Sequence, residues 1–172
     1  MSRPGTSSLR HPATEHLRSW LPALLWACAI FFFSTDLFSS DNTAIVVGSL
    51  FGMLIPGLTG HDVELFHGLV RKLGHFTEYF IFTVLLARAL RKENRGALSM
   101  RHYLISLAVA ILYAVSDEFH QTFVPSRSAT VVDVWIDTCG GIAGILWSHL
   151  RNRGKKSAWR NEEGRIPDRL PP

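Results

Sequence analysis

The chain has 172 residues, of which 47% are hydrophobic, 11% aromatic and 19% charged, with a formal net charge of +4. This charge does not indicate nucleic-acid binding, because the basic residues lie beside apolar stretches, where membrane topology and anionic headgroups account for them. The spacing of its two cysteines, Cys28 and Cys139, matches neither a disulfide framework nor a thiolate metal site. The sequence contains no nucleotide-binding fingerprint or glycine-rich phosphate loop, so we expect no cofactor.

Four apolar stretches follow one another along the chain. They cover residues 20–33, 79–87, 103–116 and 138–147, and charged or Gly/Pro-containing connections separate them. Each extends through mildly polar residues toward the roughly 20 that a bilayer requires. Their regular spacing favours four membrane spans over four core helices of a soluble bundle. We therefore predict an all-α integral membrane four-helix bundle.

The membrane domain is predicted to occupy residues 17–150. Residues 1–16 are predicted to form a cytoplasmic N-terminal segment, and the apolar stretch that follows lacks a clean small-residue cleavage site, so we interpret it as an uncleaved span. Residues 151–172 are rich in Lys and Arg and contain glycines and prolines. They are predicted to form a disordered, basic cytoplasmic tail.

Between the first two spans, residues 44–58 are apolar and glycine-rich but short for a crossing. A crossing here would also break the charge asymmetry of the connections. We predict an additional interfacial or re-entrant helix that ends at Pro56 and Gly57. This helix is either a lid over polar residues or a simple connector on the membrane surface.

The basic residues predict the orientation in the membrane, because basic connections stay in the cytoplasm. Of the 18 Lys and Arg residues, all but Arg71, Lys72 and Arg127 lie before the first stretch, around the connection between the second and third, or after the fourth. Both termini are therefore predicted to be cytoplasmic. The connections on the other side face outward, which for a bacterial inner membrane is the periplasm or cell wall.

Ionisable residues are concentrated at one end of three apolar stretches, and in a four-span topology these ends share the outward side. The second stretch is preceded by Lys72, His75 and Glu78. The third is followed by Asp117, Glu118 and Gln121. The fourth is preceded by Asp133 and Asp137. In hydrocarbon each charge would cost about 2.5–3.5 kcal/mol at a helix centre. These side chains should therefore face one another or water.

Helical periodicity places several of these residues on shared faces, since residues three, four or seven apart align. Lys72, His75 and Tyr79 align on the second span, with Glu78 one turn from His75. Gln121 lies one turn from both acids on the third span. Asp133 and Asp137 align with a strip of small residues that has a GxxxG spacing, which is typical of closely approaching membrane helices. The strip consists of Gly140, Gly141 and Gly144.

These motifs together resemble the VanZ-like family of small bacterial membrane proteins. The resemblance covers roughly residues 20–150, includes the phenylalanine run ending in Ser34, and is carried by three segments: Lys72-x-x-His75-x-x-Glu78-Tyr79, Asp117-Glu118-x-x-Gln121-x-Phe123-x-Pro125-x-Arg127, and Asp133-x-x-x-Asp137-x-x-Gly140-Gly141-x-x-Gly144. The chain departs from the family pattern at Ser126, where Gly is expected, and at Asp137, where Asn is common.

The resemblance implies a place in the bacterial cell envelope and a link to resistance against glycopeptide antibiotics of the teicoplanin type. From the residues we predict an outward-facing polar pocket that binds an envelope lipid or a lipoglycopeptide, or that alters the surface target of the drug. The alternative for each charged residue is an ion pair that only joins two helices. The predicted ligand-binding residues are Lys72, His75, Glu78, Tyr79, Asp117, Glu118, Gln121, Arg127, Asp133 and Asp137.

An alternative function is a membrane hydrolase that acts on a lipid-linked phosphate at the outer face. The spacing of Ser126, Arg127, Asp133 and Asp137 is similar to a lipid-phosphatase pattern, except that Asp133 stands in place of a nucleophilic His. Asp133 would then be the nucleophile and His75 the general acid, with Glu118 as a further catalytic candidate. Lys72 and Arg127 would stabilise the developing charge.

Two further possibilities are weaker. A metal site could combine His75, Glu78, Glu118 and His120, but their spacing is not a known ligand signature, and we predict no metal. A proton-coupled transporter would also use intramembrane carboxylates, but its site lies near the midplane, whereas these residues lie at one end of the spans.

Overall fold

The computed structural model describes residues 12–35, 53, 59–93, 98–125 and 130–163, with side chains from Thr14 to Arg153 within these ranges. Four long helices make up almost all of the described chain, which contains no strand. They are α1 (Pro12–Phe33), α2 (Gly60–Glu93), α3 (Met100–Gln121) and α4 (Val131–Glu163). The predicted all-α, four-helix architecture is confirmed.

Each helix contains a segment that is long and apolar enough to cross a membrane. The outer surface of the bundle is rich in large apolar side chains, such as Leu112 and Leu25, which are 70% and 61% exposed. Many interior side chains are polar, whereas a water-soluble protein buries its apolar side chains and exposes its charges. Apolar helices with a polar interior fit lipid as the surrounding solvent, and the chain is a multi-pass membrane protein.

Contacts between the helix ends establish an up-and-down topology. At one end Ser34 contacts Asp117 and Arg71 contacts Asp133. At the other end the Arg91 side chain donates a hydrogen bond to Asn152, at 2.9 Å. Consecutive helices are therefore antiparallel, and we call the first of these the acidic end and the second the basic end.

The closest helix contact joins α2 and α4. A methyl group on Gly140 would overlap the backbone carbonyl oxygen of Phe76, and one on Gly144 would come within 2.7 Å of the carbonyl oxygen of Phe80. The GxxxG strip therefore lies against the backbone of α2, as its spacing predicted. This contact brings the start of α4 against the middle of α2, where His75 lies.

Helix α1 is joined to the bundle by aromatic side chains that also make polar contacts. The Trp26 indole donates a hydrogen bond to the carbonyl oxygen of Glu78 at 2.9 Å, and the Tyr113 hydroxyl donates one to the carbonyl oxygen of Ala27 at 2.7 Å. Tyr113 also packs against Tyr79 and Phe82, with ring centroids 6.5 and 5.3 Å away. This aromatic core lies between the acidic end and the middle of the bundle.

Two helices extend well beyond their apolar stretches. Helix α2 begins at Gly60, far ahead of its apolar stretch, and α4 continues to Glu163, within the segment that was predicted to be disordered from residue 151. The physical reason is that adding residues to an established helix costs much less than nucleating one. The predicted interfacial helix, residues 44–58, lies outside the described residues apart from Met53, which is helical and exposed, and it stays a prediction.

Candidate functional site

Polar side chains from α2, α3 and α4 meet at the acidic end with Ser34, which directly follows α1, and are buried there. Each is at most 6% exposed. We call the following seven residues the polar cluster: Ser34, His75, Asp117, Glu118, Gln121, Asp133 and Asp137. Six of the ten predicted ligand-binding residues belong to the polar cluster: His75, Asp117, Glu118, Gln121, Asp133 and Asp137.

Asp117 is held by hydrogen bonds to both of its carboxylate oxygens. The Ser34 hydroxyl donates to Oδ1 at 2.5 Å, and the Gln121 amide donates to Oδ2 at 3.1 Å and to the Ser34 oxygen at 3.3 Å. The contact between Gln121 and Asp117 is the one-turn pair that helical periodicity predicted. Ser34 is a site residue that the sequence reasoning missed, although its place at the end of the phenylalanine run was a usable signal.

Asp133 forms an ion pair with Arg71, whose Nη2 atom lies 2.8 Å from Oδ2. The Thr130 carbonyl and hydroxyl oxygens accept hydrogen bonds from the backbone N–H of Asp133, which is the capping arrangement of a helix N-terminus. Asp133 therefore lies in the first turn of α4, where the helix dipole favours a negative charge.

The cation in this pair differs from the sequence-based expectation. Lys72 was predicted to share a face with His75, but its side chain is exposed and lies outside the polar cluster. Arg71, four residues before His75, faces Asp133 instead. Lys72 lies three residues before His75 and Arg71 lies four before it, and either spacing places a residue on the same helix face as His75. Only the rotation of α2 about its axis distinguishes these two neighbours.

His75 and Asp137 form the second charged contact of the polar cluster, with His75 Nδ1 3.2 Å from Asp137 Oδ1. Next to them, Glu118 Oε2 accepts a hydrogen bond from the backbone N–H of Thr130 at 2.8 Å. One ligand atom from each of His75, Glu118 and Asp137 lies within 4.8 Å of the other two. These three residues come from α2, α3 and α4.

The remaining predicted site residues lie at the edge of the polar cluster or beyond it. Tyr79 is fully buried one turn below His75, within the aromatic core, and Glu78 is half-buried. The ring of His120, a candidate metal ligand, packs against Phe31 at 4.7 Å. Arg127 and Ser126 lie outside the described residues, so the pairing of Arg127 and the phosphatase-like spacing stay predictions.

Large aromatic side chains surround the acidic end on the outside of the bundle. Phe119, Phe123 and Trp135 are 66%, 70% and 67% exposed, and the first two pack against each other at 5.2 Å. Aromatic rings at the end of a spanning segment are typical of the boundary between hydrocarbon and headgroups. This pattern favours the same depth for the polar cluster.

A cavity of about 160 Å³ lies at the basic end, far from the polar cluster. Its lining includes Arg88, Arg91, Trp147 and Arg151. The predicted polar pocket is not this cavity. Around the acidic residues, the described side chains are packed and mostly hydrogen-bonded to one another.

Comparison with known proteins connects this arrangement to a protein family. A family model described as VanZ/LLP1 matches residues 19–152, which include most of the first span, nearly all of the other three and every residue of the polar cluster. No curated protein and no solved structure matches the chain.

Proposed function

Because the chain belongs to the VanZ/LLP1 family, we propose that it is a protein of the bacterial inner membrane with both termini in the cytoplasm. The basic end supports this orientation, since Arg88, Arg91, Arg151 and Arg153 lie there and basic residues are retained on the cytoplasmic side. The acidic end then faces outward, toward the envelope.

The polar cluster is proposed to bind a charged group of an envelope lipid or of a lipoglycopeptide, and so to reduce susceptibility to teicoplanin-type antibiotics. The observation that carries this proposal is the convergence of seven buried polar side chains, six from three helices and Ser34 from the end of the other. Holding four helices together in lipid does not require so many ionisable groups, because close packing of small residues achieves it at lower cost.

The aromatic residues at the acidic end support a ligand that is partly embedded in the membrane. Phe119, Phe123 and Trp135 present apolar surface beside the polar cluster. An acyl chain would lie against these rings while the polar part of the same molecule reached the carboxylates. Lipoglycopeptides and lipid-linked envelope precursors both combine these two chemistries.

Drug susceptibility tests this function directly. In a teicoplanin-susceptible bacterium, expression of the wild-type chain is expected to raise the minimum inhibitory concentration by about fourfold, which is two doubling dilutions. For a drug whose free concentration sets its effect, this corresponds to about 1 kcal/mol. Glu118→Gln and Asp137→Asn should lose this increase at an unchanged membrane level, because each removes a charge from the polar cluster.

The matched control is Asp62→Asn, which also removes an acidic charge but lies in the first turn of α2, where Asp62 accepts hydrogen bonds from Thr59. It should retain the full increase. No increase with the wild-type chain, or an unchanged increase with both cluster variants, would contradict the proposed function.

The orientation gives a separate prediction. Green fluorescent protein fused after Pro172 should fluoresce, and alkaline phosphatase fused there should be inactive, because the first folds in the cytoplasm and the second requires an oxidising compartment. Phosphatase fused after Pro125, at the acidic end, should be active. Active phosphatase at Pro172 would reverse the orientation.

A further inference from the structure

We propose that His75, Glu118 and Asp137 bind a divalent transition-metal ion, zinc or manganese, within the polar cluster. This site goes beyond the proposed role in antibiotic susceptibility and does not depend on it. It rests on the spacing of the three donor groups and on the carboxylate oxygens that have no partner among the described residues.

The spacing of the donor atoms suits a small cation. His75 Nδ1 and Asp137 Oδ1 are 3.2 Å apart, and two ligands of a tetrahedral ion with bonds of about 2.0–2.1 Å are separated by about 3.3 Å. A Glu118 carboxylate oxygen lies within 4.8 Å of donor atoms on both other residues. A change of the Glu118 rotamer would bring its carboxylate to the third ligand position. The metal ion would lie between His75 Nδ1 and Asp137 Oδ1, in place of the hydrogen-bonded proton that they share.

Unsatisfied negative charge is concentrated at these same residues. Asp117 has donors on both oxygens, and Asp133 pairs with Arg71. By contrast, Glu118 Oε1 and Asp137 Oδ2 are buried and have no hydrogen-bond partner in the described part of the chain. Their side chains belong to residues only 6% and 1% exposed.

Leaving such oxygens unpaired is costly, because a buried carboxylate needs a cation or several donors to replace its hydration. A divalent ion bound by Glu118 Oε1 and by one oxygen of Asp137 would balance the charge of both carboxylates. The polar cluster would then close around an ion.

The donor types indicate the class of metal. One imidazole nitrogen and two carboxylate oxygens suit zinc or manganese, whereas calcium and magnesium prefer oxygen ligands alone. The backbone N–H of Thr130 holds Glu118 Oε2 at 2.8 Å, an outer contact of the kind that orients metal ligands. Three protein ligands leave a coordination position open for water or for an oxygen of a bound molecule.

Sequence spacing did not reveal this site. The candidate set drawn from it combined His75 and Glu118 with Glu78 and His120, whereas the fold supplies Asp137 as the third ligand. Each ligand comes from a different helix, so no short motif contains them.

Metal binding by the purified full-length chain tests the proposal. The protein, in mild detergent and stripped with a chelator, is dialysed against Zn²⁺ or Mn²⁺ alone and its metal content measured by mass spectrometry. About one ion per chain is expected, following from the single three-residue site. With Co²⁺ as a spectroscopic substitute, visible absorption bands of a four-coordinate nitrogen and oxygen site should appear.

Glu118→Gln and Asp137→Asn are nearly isosteric, and both are expected to weaken binding by more than about tenfold. Gln can still accept the hydrogen bond from Thr130, so loss of metal by this variant reports the lost charge. Asp62→Asn is the matched control, since it removes an acid from the first turn of α2, where Asp62 accepts hydrogen bonds from Thr59. It should bind metal as the wild type does.

Two results would overturn the site: wild-type protein that retains no more metal than Glu118→Gln, or a Glu118→Gln variant with unchanged affinity. If a variant fails to insert in the membrane, the metal content and Co²⁺ spectrum of the wild-type chain decide the question alone.

Discussion

Replacing Gly140 with alanine is expected to destabilise the bundle by about 3 kcal/mol or more, at or above the upper end of the range for overpacked cores. The added methyl group would overlap the backbone carbonyl oxygen of Phe76. A backbone atom cannot rotate away as a side chain does, so α2 and α4 would have to separate. That separation would also pull Asp137 away from His75, which lie 3.2 Å apart across the same interface.

The measurement is thermal unfolding of the detergent-solubilised protein, together with its level in the membrane. Gly74→Ala is the matched control, because Gly74 lies on α2 two residues from Phe76 and a methyl group there would meet nothing within 4 Å. Alanine in an open helical position should be neutral or stabilising by about 0.5–1 kcal/mol. Equal stability of the two variants would show that α2 and α4 are not in close contact at Gly140.

Breaking the ion pair between Arg71 and Asp133 is the second change with a large expected effect. Asp133→Leu should cost about 1–3 kcal/mol, less than the loss of one partner from a fully buried pair, because water still reaches part of the arginine side chain. The guanidinium of Arg71, whose side chain is 19% exposed, would lose a contact of 2.8 Å. The first turn of α4 would also lose a negative charge that its dipole favours.

A double-mutant cycle distinguishes the cost of removing one partner from the net contribution of the ion pair to stability. The variant with both Arg71→Met and Asp133→Leu should recover most of the lost stability, because apolar side chains of similar volume often replace a buried ion pair at no cost. Unfolding in detergent is again the measurement. Additive losses in the double variant would mean that the two side chains do not interact.

The double variant also separates structure from function. If it folds and inserts like the wild type but no longer alters drug susceptibility, the charges at the acidic end serve binding beyond helix packing. If the double variant still reduces drug susceptibility as the wild type does, the ion pair has a structural role only. His75, Glu118 and Asp137 then remain as the candidate site.

Much of the fold followed from the sequence because its signals are local. Apolar stretches of near-membrane length predicted the four helices, and a one-turn spacing predicted the contact of Gln121 with Asp117 at 3.1 Å. The small-residue strip predicted the close approach at Gly140 and Gly144. These features depend on the length and period of one helix, which a sequence displays directly.

The partners across helices were decided only by the tertiary structure. Ser34 reaches Asp117 from 83 residues away, and His75 reaches Asp137 from 62. Arg71 rather than Lys72 faces Asp133 because neighbouring residues on a helix point about 100° apart, so the rotation of α2 about its axis decides which of the two meets the carboxylate. Packing against the glycines of α4 sets that rotation. The sequence alone thus determined which helices form and which end carries the acids, whereas the tertiary structure decided which cation, hydroxyl and imidazole each acid meets.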